Sequence, residues 1–184
     1  MPISRQAITT LLATGLLSAT IAACATTGDN GDSADEALLG SGVIADARQS
    51  TVGSVRIVQT SSGPELTVTV SSMPPGSYGT HLHQVGRCDP PAFTTAGPHW
   101  NPTMRQHGRL NPQGTHHGDL PNLIVGPDGS GTLKAPFIGA LTGDGGLFDA
   151  DGAALLIHAR ADDERTDPSG NSGDRIACAT LSPN

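Results

Sequence analysis

The sequence predicts an all-β domain, and three observations carry that expectation. The chain holds 24 Gly and 14 Pro among 184 residues, a density of turn-formers that disfavours long helices. The runs SVRIVQT and ELTVTV alternate polar and apolar residues, as half-buried antiparallel strands do. Eight short β-rich runs in all are separated by turn signals, the pattern of a sandwich or a closed barrel.

The elements follow in chain order. Arg5 precedes the uncharged, mainly apolar run Ala7 to Ala23, which ends at Cys24. A charged start, a short apolar stretch and small residues before a cysteine describe an export signal covering 1–23. Ile21-Ala22-Ala23-Cys24 resembles the bacterial lipobox, in which the thiol is lipidated and the leader is cut just before it. The small, acidic segment from Ala25 to Gly40 then reads as a tether, so 24–40 is a lipid-bearing linker and 41–184 the folded domain. Its strands are expected at Val43 to Ala47, Val52 to Thr60, Glu65 to Ser72, Gly79 to Val85, Asn122 to Val125, Gly131 to Ala135, Ala153 to Ala159 and Arg175 to Leu181. Gly63-Pro64 and Pro74-Pro75-Gly76 punctuate the first of these. Gly86 to Pro121 shows no strand pattern, and a structureless loop of that length in a compact domain needs something to hold it.

Charge and composition remove several functions. Acidic residues outnumber basic ones 17 to 10 for a formal charge of −7, and loss of Arg5 with the leader makes the mature chain more negative. Only 3 Phe, 1 Trp and 1 Tyr are available for stacking, so no nucleic-acid partner is expected. The cysteines are Cys24, Cys88 and Cys178. With Cys24 lipidated, two remain in an exported chain, which suggests one disulfide, pairing Cys88 with Cys178. Gly170 to Asp174 is not a protease serine motif, because the domain is too short for two barrels, and Asp144 to Gly152 lacks calcium-loop spacing and reads as a turn.

All seven histidines lie between His81 and His158. His81 and His83 are two apart on an expected strand, so both rings share one face and can converge on one metal. An HxH pair alone fits packing as well as binding. The long loop adds His99, His107, His116 and Asp119, and three imidazoles with one carboxylate make a tetrahedral set suited to Zn²⁺. His158 sits in the apolar run GAALLIHAR and taken alone reads as a core histidine; His117 reads as an exposed loop residue. Imidazole-only sites suit copper and a hard carboxylate shifts preference away from it, so the pattern leaves room for two metals.

Gly79-Thr80-His81-Leu82-His83, Ala96 to Pro102, His107-Gly108, His116 to Asn122, His158 to Asp163 and Gly170 to Cys178 occur in the order and at nearly the spacings of copper/zinc superoxide dismutases. From Ser41 onward the chain resembles that family, in its exported bacterial branch. The resemblance implies an eight-stranded antiparallel Greek-key barrel, sandwich-like, with a long metal-binding loop. It implies copper on His81, His83, His99 and His158, and zinc on His99, His107, His116 and Asp119, with His99 as the bridge. Asp162 matches the carboxylate that links a copper histidine to a zinc histidine, here His81 and His107. Arg175 matches the arginine that receives the anion beside copper, positioned by the Cys88–Cys178 bridge.

The implied reaction converts two superoxide anions to O₂ and hydrogen peroxide by Cu²⁺/Cu⁺ cycling, with His99 carrying a proton. Arg160, Arg165 and Lys134 are candidates for steering but read better as solvated surface charges. Trp100, Tyr78 and Ala179 depart from the residues common in the family, and Ala161 to Asp174 is too short for the charged lip of animal members; none of these removes a ligand. A lipid-anchored protein that sequesters copper or zinc without turnover is the rival, and retention of Arg175 and His99 argues against it. The chain is expected as a monomer or homodimer at the periplasmic face or the cell surface, meeting the membrane through the Cys24 anchor.

Overall fold

The computed structural model describes residues 1–2 and 36–184, so the leader, Cys24 and most of the tether lie outside the described residues. The chain from residue 36 onward is all-β. Nine strands form: β1 (Leu38–Asp46), β2 (Thr51–Thr60), β3 (Gly63–Val70), β4 (Gly76–Tyr78), β5 (Thr80–His83), β6 (Leu123–Val125), β7 (Gly131–Pro136), β8 (Ala153–His158) and β9 (Arg175–Pro183). The only helical element among the described residues is one 3₁₀ turn at Thr94–Ala96.

Seven strands make one antiparallel sheet, ordered β5-β8-β9-β1-β2-β3-β7 and curled into a half-barrel; β4 and β6 pair separately. The non-consecutive neighbours β5-β8, β9-β1 and β3-β7 are the crossovers of a Greek-key arrangement. Eight strands were expected and nine are present, because the chain before the HxH pair carries a strand of its own. Buried Tyr78 pairs with Leu123 and donates its hydroxyl to the Pro74 carbonyl, which holds Gly76–Tyr78 in the small sheet. The first strand likewise starts at Leu38 rather than Val43, ahead of the domain start expected at Ser41, since Leu38 pairs with Val58 and Leu39 packs on the core.

Alternation builds the interior as the sequence dictates. Val55 and Ile57 of β2, Leu66 and Val68 of β3, and Leu155 and Ile157 of β8 turn inward to one large core. β8 differs from a half-solvated strand in being buried along its whole length. Its other face, Ala154 and Leu156, meets Phe93, Ala96 and Cys178 in a smaller cluster contributed by the long loop. The loop therefore roofs the sheet on the face where His158 ends β8.

Two devices dock this loop. Cys88 is bonded to Cys178 of β9, 90 residues away. The loop backbone also pairs with the otherwise open edge of β5, Leu82 N–H donating to Gly118 O at 2.9 Å and Trp100 N–H to Leu82 O at 2.8 Å. A side chain on Gly118 would strike the Leu82 carbonyl, so only glycine lets the strands approach here.

Because the bridge closes a long loop, replacing Cys88→Ala and Cys178→Ala together should lower the stability of the metal-free protein by roughly 2–5 kcal/mol. Urea denaturation of the two proteins in the presence of a chelator measures it.

Candidate metal centre

His81 and His83 occupy the outer face of β5, while Leu82 between them enters the core. β5 pairs with β8 so that His81 lies opposite Leu156 and His83 opposite Ala154. A register shift between Ile157 and His158 re-aims the last residue of β8 and sets it opposite Arg175. The docked loop supplies the rest: His99 bridges backbone to backbone with His83, and Asp119 with His81. Edge pairing thus places loop residues and strand residues in register around one centre.

Two groups of converging ligand atoms result. His81, His83, His99 and His158 present one atom each, all within 4.8 Å of one another and all buried. His81 Nδ1, His83 Nε2 and His158 Nε2 have no hydrogen-bond partner. An unsatisfied buried nitrogen costs about 1–3 kcal/mol, and three of them facing a common point are an imidazole set suited to a transition metal. The opposite ring nitrogens are tied down, His83 Nδ1 to Gly97 O at 2.8 Å, His158 Nδ1 to Gly173 O at 3.0 Å and His81 Nε2 to Asp162 at 2.7 Å. These bonds leave the inward nitrogens as lone-pair donors.

The second group gathers on Asp119. Its Oδ1 lies 3.0 Å from His99 Nδ1, 2.9 Å from His107 Nδ1 and 3.1 Å from His116 Nδ1. Oδ2 accepts from Gly108 N–H, His116 N–H and the Thr115 hydroxyl. His81 also converges with His99, His107 and Asp119 within 4.8 Å, so the two groups are contiguous. Asp162 stands between them, its other oxygen 3.0 Å from His107 Nε2. Asn122 fixes Asp162 on both sides, accepting its N–H at 2.7 Å and donating to its carbonyl at 2.9 Å. Gly170, at φ 63°, lies so close that a side chain there would collide with the Asp162 carboxylate and the His107 ring.

The protonation pattern follows from these surroundings. Burial, with His99 next to it, pushes His83 far below the usual imidazole range and His81 to about 3; burial brings His158 to about 4. His99 is also lowered by burial, against the pull of Asp119. Burial alone would raise Asp119 and Asp162, but hydrogen bonds from His107 and the other histidines hold both well below the carboxylate range. His107 is the exception among the rings: burial disfavours its cation, yet the two carboxylates raise it to about 9.

Arg175, half-buried, donates to Phe93 O at 2.8 Å and Gly97 O at 2.7 Å. The Gly97 carbonyl therefore serves both the guanidinium and His83, which joins the cation to the first cluster through the loop that Cys88 anchors. No carboxylate pairs with Arg175 among the described residues. Of the other cations, Lys134 pairs with Glu65 at 3.2 Å, Arg165 reaches Leu110 O and Arg160 reaches Asn171 O.

His117 is not the exposed loop residue expected. It is half-buried against Trp100, ring centroids 5.2 Å apart, and its Nδ1 is buried. The reason is the turn at His117-Gly118, closed by Asp119 N–H donating to His116 O at 3.3 Å and docked on Trp100 through Gly118 N–H donating to Trp100 O at 2.9 Å, which sets the His117 ring beside Trp100. Trp100 also stacks on Phe137 and donates to Gly145 O. Thr115, Asn122 and Asp167, whose Oδ1 accepts the His107 N–H at 2.6 Å, support the site without having been singled out from the sequence. The one signal for them was proximity to Asp119, Leu120-Pro121 and the Asp162 segment.

A family model for copper/zinc superoxide dismutase matches residues 51–181. A copper/zinc superoxide dismutase of Aquifex aeolicus is 40% identical over 71% of this chain and 79% of its own length, and one of Caulobacter vibrioides 36% identical over 70% and 77%. A crystal structure of a superoxide-dismutase-like protein from Bacillus subtilis superposes with a TM-score of 0.74 at 37% identity, covering 79% of this chain and 100% of that one.

The shifted proton affinities of these groups predict how metal-free stability varies with pH. The neutral histidines His81 and His158 take up protons in the unfolded chain below about 6.5, well before they do so folded, so stability should fall as pH drops from 6.5 towards 4. His107 has the opposite sign: its contribution is complete below about 6.5 and is lost as pH rises through about 9. The urea midpoint of the chelated protein should therefore be highest in the near-neutral range and decline on both sides, with His107→Ala removing the alkaline decline.

Proposed function

The chain belongs to the copper/zinc superoxide dismutase family, and from that premise we propose that it is a working superoxide dismutase with copper on His81, His83, His99 and His158 and zinc on His99, His107, His116 and Asp119. The observation that carries the proposal is the sharing of His99: its Nδ1 lies at Asp119 while the residue also belongs to the all-imidazole group. Family membership alone does not decide turnover, since one relative 42% identical over 71% of this chain bears the name superoxide dismutase-like. Two features of the residues support turnover. A sequestering protein has no need of a shared imidazole or of an uncompensated arginine beside the centre.

Bound copper supplies one-electron oxidation and reduction, which no side chain here can perform, and the net change is two superoxide anions and two protons to O₂ and hydrogen peroxide. The protein supplies the rest. Arg175, held by two carbonyls and unpaired, attracts and orients the anion. His99 carries a proton at Nε2, taking it up in one half of the cycle and delivering it to the reduced product in the other. Asp162 fixes the rings of His81 and His107 together, so the two metal sites keep one geometry. Asp119 and the zinc ligands hold the loop that carries His99.

Export and lipidation at Cys24 complete the reading. They rest on the leader pattern in the sequence and on the Cys88–Cys178 disulfide, which suits an oxidising compartment.

The purified chain reconstituted with Cu²⁺ and Zn²⁺ should show rapid, cyanide-sensitive dismutation with one of each metal per chain. Metal bound without turnover would favour the sequestering protein instead. His83→Ala should lose copper and activity and keep zinc, measured by metal analysis on the same sample. Arg175→Ala should retain both metals while kcat/KM falls about tenfold or more and loses much of its salt dependence.

A further inference from the structure

The loop histidines His99, His107 and His116 all turn Nδ1 towards Asp119. With Nδ1 as the metal-facing atom, Nε2 is the outward nitrogen, and where it keeps its proton it needs an acceptor to fix the ring. His107 Nε2 has Asp162 at 3.0 Å, and His99 belongs to the neighbouring group as well. That leaves His116. Among the described residues, the one carboxylate within 4.0 Å of its Nε2 is Asp167, whose Oδ1 lies at 4.0 Å.

The same Asp167 oxygen accepts the backbone N–H of His107 at 2.6 Å. One carboxylate oxygen therefore touches the backbone of one loop histidine and stands one small side-chain movement from the ring of another. The segment just before Asp167 is stitched to the metal loop. Asn111 donates to His107 O at 2.9 Å and to Arg165 O at 3.2 Å, Leu110 N–H donates to Glu164 O at 2.9 Å, and Arg165 returns a bond to Leu110 O at 3.1 Å. Asp167 and His116 also line a common crevice of about 340 Å³ with His99 and Arg105, which leaves room for the carboxylate to close on the ring.

We infer that Asp167 is a positioning residue for the zinc site, holding His107 by its backbone and His116 by its Nε2–H. It does from the outer loop what Asp162 does between the two clusters. The short Ala161 to Asp174 segment is then a strap that completes the metal loop. The inference rests on the zinc reading given under the proposed function, and its test separates the two.

Zinc affinity of the purified full chain is measured by competition with a chelator, and the Co²⁺-substituted protein is read by its visible absorption, which reports ligand geometry. Asp167→Ala should weaken zinc by about 10–100-fold and change the Co²⁺ spectrum. Asp167→Asn, which keeps an acceptor oxygen without the charge, should recover part of that loss, and it decides the matter alone where the alanine variant does not fold. Parental zinc affinity and an unaltered Co²⁺ spectrum in the variants would overturn the role of Asp167 and leave the zinc site standing. A parent chain that takes up neither Zn²⁺ nor Co²⁺ would overturn the zinc site itself, and the inference with it.

Discussion

A single buried carboxylate oxygen, Asp119 Oδ1, collects the Nδ1 atoms of three histidines that lie 3, 12 and 20 residues before it in the chain. Three lone-pair-bearing nitrogens around one anion hold together only when protons or a cation lie between them. The rest of the loop depends on that arrangement because it has little apolar surface to bury: Phe93, Ala96, Trp100 and Leu120 are its main anchors. Buried polar networks stabilise only when every member is satisfied. Here Asp119 Oδ2 takes two backbone N–H groups and a hydroxyl, so the carboxylate is bonded from both oxygens and the loop backbone is drawn around it.

The β5 edge converts that local knot into a site. An exposed strand edge is a liability that a protein must cover, and this one is covered by the loop itself, in register. His83 opposite His99 and His81 opposite Asp119 are consequences of backbone pairing, and side-chain convergence follows from it. The disulfide acts at the other end of the same roof, fixing Cys88 to the strand that carries Arg175. Sheet edge, loop and bridge thus constrain the two clusters and the arginine as one body.

The sequence made much of this legible, for reasons that can be traced. Strands announced themselves where one face is buried and the other wet, as in β2 and β3, and Gly and Pro marked the turns between them. β4 was hidden because three residues following two prolines carry no period, and its pairing is decided by Tyr78 reaching Leu123 across the molecule. Histidine spacing exposed the candidate ligands, since the type is scarce and the motifs are dense. His117 was misjudged because its partner, Trp100, is brought beside it only by the loop's docking on β5. Asn122 ends the His116 to Asn122 motif without a role legible there, and Asp167 lies outside every motif; each acts across tens of residues through a backbone bond.

Charge placement supplies the remaining step. A protein of formal charge −7 repels a small anion at long range, and screening confines that repulsion to about 8–10 Å at ordinary ionic strength. What matters for entry is therefore the field close to the centre. There, Asp119 and Asp162 are enclosed by imidazoles and backbone N–H groups, while Lys134, Arg87 and Arg109 are each paired with an acid elsewhere. Arg175 is held by carbonyl oxygens, which orient a guanidinium without neutralising it. The dipoles that fix its position thus leave its charge available, and an acidic protein still presents an uncompensated positive charge beside the histidine clusters.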